Sequence, residues 1–461
     1  METPSQTLHR LTCYEHGRDW DEPADDPRIL RDLVPNDLDR LPWFYKRYSG
    51  SLPVVPLPRD LPATAAPAVA VLAGTAEIAR AELDLPHLSR LLHLSAGVVR
   101  TSPRPYGTYL FRAAGSAGGR FPSELYVAVP EGGTLPPGVH WYHPQEHALV
   151  QVGRPPRGDA VTVVVTGIPW RTGWRYAERG YRHVFWDAGT MLAQLLAAAE
   201  SAGAPPALYS TFPDAAVAAL VGADRVHELP VAVVALGEGE PALEATGPAA
   251  AGEVDAAPVE FPLVTPAYRA GERDALGAPW PAGEPVDVPG RGAAPVEDVI
   301  LARGSQRLMD PARGLSQEVL LTSMSAALRG IDLPHFVVVH DVEGLEPGVY
   351  RWPDLTAPVR KGDLREELYR VCLDQGLCSD AAFVVISAAR VAELDDRAYR
   401  AAQLASGVVE GRLHLLAYAL GASASGMTFD DSLIHALLGE PLDGLLFTCV
   451  GVPEYAAKAG G

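Results

Sequence analysis

The chain states nearly the same text twice. Residues 180–189 read GYRHVFWDAG, and residues 398–407, 218 positions further on, read AYRAAQLASG. Small-residue helical text follows each, MLAQLLAAAESAG and then GRLHLLAYALG. Next come TFPDAAVAALVG from Thr211 and TFDDSLIHALLG from Thr428, and after them the apolar runs LPVAVVALG and LDGLLFTCVG. Upstream, LPPGVH at 135–140 mirrors LEPGVY at 345–350. Matching order and spacing over five segments restrict the chain to two copies of one fold, a covalent dimer whose working site can draw on both halves.

With 461 residues, 48% of them apolar, each half is long enough for its own core. Residues 1–60, rich in Asp, Arg and Pro around the aromatic knot PWFYKRY, are expected to be an extension packed on the first half. Residues 61–236 form a first domain and 293–461 a second. Between them, 237–292 turn to Glu, Ala, Pro and Gly, a linker long enough to wrap one half around the other. Helices are expected at 83–99, 190–201, 295–302, 317–329 and 404–420. Strands are expected at 125–129, 160–165, 231–235, 336–340, 383–386 and 445–450. Strands mixed with helices imply an α+β layered domain in each half. The central helix text at 191–203 is apolar on nearly every face and must be buried. The economical arrangement packs the two central helices against each other across a pseudo-twofold axis.

A net charge of −19 argues against nucleic acid as a partner, and an anionic ligand would need a local cationic pocket. Cys13, Cys372, Cys378 and Cys449 show no CxxC spacing, which suits a reducing, cytoplasmic compartment; Cys372 and Cys378 are expected to be half-buried core residues. Residues 1–10 lack the apolar core of a secretion signal, and no charge-free run of 18 apolar residues suggests a membrane span.

Two short stretches carry chemistry. RGSQR at 303–307 puts Arg303, Arg307 and the Ser305 hydroxyl within five residues, a local anion site just after a helix. GSAGG supplies Gly115, Ser116, Ala117 and Gly118, small enough for a flat ligand to approach the backbone. Other stretches are bland. His140, His143 and His147 lack the partners of a metal site, and no metal is expected. Asp430 and Asp431 read as helix caps, and Trp170, Trp174 and Trp186 as a substrate entrance or as core.

Together with the repeat, these stretches resemble the FMN-dependent nitroreductase fold, in its SagB/ThcOx dehydrogenase branch. RGSQR is similar to that fold's Arg-Arg-Ser-x-Arg opening, with Gly304 departing at the second Arg. GSAGG with PSELYVAV is similar to the branch's Pro-Ser-Ala-Gly loop, with Gly115 in place of the proline. LPPGVHWYHPQEHAL and GWRYAERGYRHVFWDAG resemble two further segments of the branch. In that family two subunits share each FMN, one giving the arginine motif and the other the serine loop. The second half here holds the arginine motif and the first half the loop, which implies one composite flavin site per chain and one decayed pseudo-site. The resemblance also implies flavin contacts from Gln375, Gly426, Met427, Thr428 and Lys458. The branch's azoline oxidases carry Lys-Tyr where Arg175 and Tyr176 stand. Arginine does not release its proton, so that general base is missing, and Tyr176 is left to donate or relay one. The implied activity is oxidation of a peptide-derived or small-molecule substrate in a biosynthetic pathway, alongside partner enzymes. The alternatives are an NAD(P)H-dependent reductase and a non-catalytic flavin-binding scaffold.

Overall fold

The computed structural model describes residues 2–15, 26–30, 32–105, 107–290 and 292–460. The strands of the first half are β1 (Val54–Pro56), β2 (Val98–Arg104), β3 (Gly107–Arg112), β4 (Ser123–Val129), β5 (Gly138–His143), β6 (Ala148–Gly153), β7 (Val161–Gly167), β8 (Pro206–Tyr209) and β9 (Leu229–Leu236). Those of the second are β10 (His335–Val339), β11 (Gly348–Arg351), β12 (Arg360–Lys361), β13 (Phe383–Ala389), β14 (Ser423–Met427) and β15 (Asp443–Gly451). One sheet runs β1-β6-β5-β4-β7-β9-β8 and the other β12-β11-β10-β13-β15-β14, while β2 and β3 form a separate hairpin. Apart from the added edge strand β1, the two orders are the same, position for position. The chain is thus α+β, two fused domains of one plan. Runs such as VTVVVTG in β7 are β-branched up to the closing Gly167 because both faces of the strand are covered.

The helices are α1 (Pro4–Leu11), α2 (Ala68–Ala73), α3 (Leu85–Ala96), α4 (Pro169–Tyr176), α5 (Gly180–Ser201), α6 (Asp214–Val221), α7 (Val264–Ala270), α8 (Val296–Ala302), α9 (Gln317–Ala327), α10 (Arg365–Val371), α11 (Leu377–Asp380), α12 (Asp396–Ala419) and α13 (Ile434–Leu438). The central pair, α5 and α12, lie against each other as the apolar text requires. Glycines in and after the repeated decapeptides set the approach. A Cβ on Gly189 would stand 2.5 Å from Leu404 O and Val408 N, and one on Gly411 2.6 Å from Ala193 Cβ. Both helices begin earlier than expected. The decapeptides are helix rather than entry turns, because Gly180 starts α5 directly on the Gly173 backbone of α4, where a Cβ would meet Gly173 N at 2.6 Å.

The repeated arginines and aspartates form two reciprocal clasps. Arg179 and Arg182 at the start of α5 bind Asp431 of the other half at 2.6 and 2.8 Å. Their counterparts Arg397 and Arg400 in α12 bind Asp214 at the start of α6, at 2.8 and 3.1 Å. Burial alone would raise Asp431, but the two guanidiniums hold it well below the usual carboxylate range. Only Asp430 is a cap, accepting Ser432 N at 2.9 Å; Asp431 instead serves the clasp. Removing one member of such a buried set leaves uncompensated charge.

Three expectations need correction. The knot at 42–48 does pack on the first half, with Lys46 buried against Glu228 at 2.5 Å. Helix α1 instead bridges the halves beside α7: Ser5 N donates to Asp396 Oδ1 at 2.7 Å and Gln6 Nε2 to Leu394 O at 2.9 Å, while Arg182 Nη2 of the first half donates to His9 O at 2.6 Å. The linker text, read as lacking periodicity, contains α7, which packs on the first half with its Tyr268 hydroxyl donating to Asp214 at 3.0 Å. It then crosses to the second half, where Gly290 N donates to Thr322 Oγ1 at 2.8 Å. Near the pseudo-twofold axis the approaches to α2 and α8 pair with each other, Ala68 N to Ala294 O at 2.9 Å and Val296 N to Ala66 O at 3.0 Å. Finally, Cys372 and Cys378 are fully rather than half buried; Trp170, Trp174 and Trp186 follow the core reading of their two alternatives. No described helix is long and apolar enough to cross a membrane.

Candidate functional site between the halves

The hairpin β2–β3 delivers the glycine-rich loop to the base of α5. Ser116 organises it: its Oγ accepts Arg120 N at 3.1 Å and Phe121 N at 2.7 Å and lies 2.5 Å from Asp187 Oδ2. Ala117 N donates to the other Asp187 oxygen at 3.0 Å. Gly118 takes the left-handed conformation, φ 58°. A Cβ there would collide with the Arg175 side chain and stand 2.9 Å from the Tyr176 hydroxyl, so the Arg175–Tyr176 pair borders this loop. Arg175 is exposed and donates to Asn36 Oδ1 at 3.2 Å rather than pairing with Asp187 or Glu178. The Tyr176 ring stacks on His183 at 4.0 Å, and burial pushes its hydroxyl up to about 12.

From the second half, α8 ends at Arg303, which is 0% exposed. Its Nη2 donates to Ala113 O at 2.6 Å and its Nη1 lies 3.3 Å from His414 Nδ1. Among the described residues it has no carboxylate ion pair. A Cβ on Gly115 would stand 3.4 Å from Arg303 Nη1 and 3.6 Å from Ser305 Oγ, so the arginine motif of one half abuts the serine loop of the other. Gly426 lies beside the Glu410 carboxylate. Thr428 Oγ1 is buried without a hydrogen-bond partner, and Met427 is half-buried.

Other expected residues stay apart. Arg307 is exposed, whereas Gln306 beside it is buried like Arg303 and donates to Leu308 O at 2.8 Å. Gln375 is exposed in the turn between α10 and α11, and no described hydrogen bond ties it to this cluster. The Lys458 side chain is not buried in the cluster, but its backbone covers Gly304, and Gly460 N donates to Arg303 O at 3.1 Å.

The interior of the cluster holds groups that the motifs did not single out. Glu410 of α12 accepts Thr190 Oγ1 of α5 at 3.1 Å and sits 3.7 Å from His414 Nε2. Burial pushes Glu410 up to about 7 and Asp187 up to about 8, the Asp187 shift being increased by Glu410. Burial and the Arg303 charge push His414 down to about 3, so it is neutral at ordinary pH. A signal existed in the repeat: Glu410 and His414 stand where the first half has Leu192 and Leu196, and Asp187 where the second has Ala405.

This cluster suits an anionic, flat cofactor such as FMN. Arg303 is a buried cation with no direct ion pair among the described residues, the buried Glu410 acting on it only at longer range, and Arg303 Nε, His414 Nε2, Gln306 Oε1 and Thr428 Oγ1 are all buried without hydrogen-bond partners. Beside Gly115, Ser116, Asp187 and Met191 lies a cavity of about 20 Å³, far smaller than ordinary ligand pockets. Elsewhere, His140 is used by Pro136 O at 3.0 Å and His147 by Tyr142 at 2.9 Å. Among the described residues, His9, Cys13 and Asp431 group their ligand atoms within 4.8 Å. Two arginines already neutralise Asp431 there, which disfavours a cation.

No protein-family model matches the chain, and no curated protein matches it. Among solved structures, a "putative nitroreductase" from Anabaena variabilis matches with a TM-score of 0.73 at 22% identity, over 98% of this chain and 100% of that one. A "putative nitroreductase in complex with FMN" from Exiguobacterium sibiricum matches at TM-score 0.28 and 13% identity, over 38% of this chain and 94% of its own. The E. coli microcin synthetase McbBCD complex with truncated pro-MccB17 bound matches at 0.29 and 20%, over 34% and 64%. The two low-scoring matches are too remote to bear on this chain's chemistry. The first match extends over nearly the whole chain, and the two fused domains together have the fold of that nitroreductase-like structure.

Proposed function

We propose that the chain is an FMN-dependent oxidoreductase with one composite flavin site between its halves, oxidising a peptide-derived or small-molecule substrate in a biosynthetic pathway with partner enzymes. One observation carries the reading: the fully buried Arg303 of the second half, without a carboxylate partner among the described residues, faces the Gly115–Ser116 loop of the first. Arg303 and Ser305 would hold the phosphate, and the side-chain-free surface of Gly115 would lie along the rings. FMN supplies two-electron acceptance and donation when bound. The chain supplies proton handling. Arg175 cannot act as a base, whereas Asp187 and Glu410, poised at about 8 and about 7, exchange a proton near neutral pH. Tyr176 stays protonated and can donate a hydrogen bond. Because the tail at 455–460 covers the arginine loop and the cavity is small, cofactor entry requires that tail to move aside.

Titration with FMN, followed by its visible spectrum, tests the reading. One flavin per chain is expected. Arg303→Ala should weaken retention by at least about tenfold, as expected for losing a charge-assisted phosphate contact, while Arg307→Ala should weaken it less. A protein that stays colourless in excess FMN, or retains it equally without Arg303, refutes the proposal.

A further inference from the structure

A second cleft lies away from the composite site. It has a volume of about 100 Å³, is open on one side, and lies between α5, α12 and the linker. It occupies the position related to the composite site by the internal repeat. Its Arg412 stands in α12 where Gln194 stands in α5, and its Leu196 where His414 stands. The hydrogen bonds correspond as well. Gln194 Nε2 donates to Ala113 O at 3.4 Å, and Arg412 Nη1 donates to Ala327 O at 3.1 Å and Arg329 O at 2.7 Å.

The chemistry does not correspond. Nothing like RGSQR or GSAGG borders this cleft, and linker residues Trp280, Pro281 and Ala282 form one wall instead. Two guanidiniums line it, Arg329 and Arg412, and neither has a carboxylate ion pair among the described residues. Arg329 is fixed by Leu72 O at 3.0 Å and Gly283 O at 3.1 Å. That leaves Arg329 Nη2 and Arg412 Nε and Nη2 without hydrogen-bond partners among the described residues. Burial and the neighbouring Arg329 charge push Arg412 down to about 10, so the two like charges already strain against each other. Glu200 also lines the cleft, which brings its net charge to one positive. The remaining wall is apolar, from Leu72, Leu196, Leu208, Ile331 and the Trp280 ring.

We propose that this cleft is a second ligand site, taking a small organic monoanion: a carboxylate on a flat apolar body. Planar guanidinium donors suit a carboxylate. A single net positive charge suits a monoanion better than a phosphate dianion, and the wall between linker and helices suits a ring. In a chain of net charge −19, such a pocket is where an anion finds local attraction. The proposal rests on residues separate from those assigned to the flavin, so each stands or falls alone.

Calorimetric titration of the purified full chain with 2-naphthoate, and with 2-naphthalenemethanol as its neutral analogue, tests it. One naphthoate per chain is expected, with the alcohol at least about tenfold weaker. Arg412→Gln, which keeps an amide where Gln194 shows one can bond the loop carbonyl, should weaken naphthoate at least about tenfold and leave flavin content unchanged. Leu196→Trp fills the cleft, leaves both arginines in place, and should abolish binding; thermal melts confirm that each variant is folded. Equal affinity for acid and alcohol, undiminished binding in both variants, or no saturable binding overturns the proposal. So does a second FMN per chain that Arg412→Gln removes.

Discussion

At the scale of single residues, Asp187 ties the glycine loop to the central helix. Its carboxyl is buried at the end of the Ser116 and Ala117 hydrogen bonds, and burial raises it to about 8 from a value near 4 when unfolded. A raised folded pKa stabilises the protonated native state, fully below about pH 4, and that contribution is lost as pH rises through about 8. Glu410 acts in the same sense up to about 7. These two carboxyls therefore subtract stability between about pH 4 and 8, against the gain from buried histidines held neutral over the lower part of that range, and Asp187→Asn should make the slope more positive than in the parent protein, by on the order of 5 kcal/mol at the alkaline end. Denaturant melts across that range read it out; an unchanged slope would show that the carboxyl is not held neutral. Gly118 is a second residue-scale test. With φ at 58° and Arg175 and Tyr176 against it, Gly118→Ala should cost about 1–3 kcal/mol by urea melting and shift the Arg175–Tyr176 pair.

At the scale of elements, the clasps explain why the two halves kept the same words. Arginines from each central helix reach an aspartate of the opposite half, so GYR and AYR, TFPD and TFDD are two halves of one interaction made twice. Asp214→Asn or Asp431→Asn should each destabilise by about 3–5 kcal/mol, because two buried guanidiniums lose their counter-charge. Chemical denaturation of the single and double variants checks this, and a loss below about 1 kcal/mol in either would mean that the pair is solvated. This pairing was not legible in the text. Asp431 sits in a capping sequence, and helical spacing shows which residues share a face but not which chain segment meets that face. The glycines were more legible, since Gly189 and Gly407 sit in apolar helices that have nowhere to go but onto each other.

At the scale of the whole molecule, neither half is complete. Helix α12 buries Leu404 and Val408 against α5, and α1, from the far end of the chain, reaches the start of α12 as well as the first half. Residues 293–461 expressed alone should be insoluble or lack a cooperative melt, as followed by circular dichroism; a folded monomer would show that the interface is dispensable. The repeat by itself determined the number of domains, their α+β plan and the burial of the central helices, because periodicity and duplication are properties of the chain. It also located the arginine motif and the glycine loop in different halves. Only the tertiary structure decided that Arg303 meets Gly115 while the side chains of Arg307, Gln375 and Lys458 stay out of the cluster. It alone brought Asp187 and Glu410 into one interior and opened a cleft at the related position. The physical reason is that a side chain's partner and its dielectric surroundings come from segments hundreds of residues away, and no local pattern encodes them.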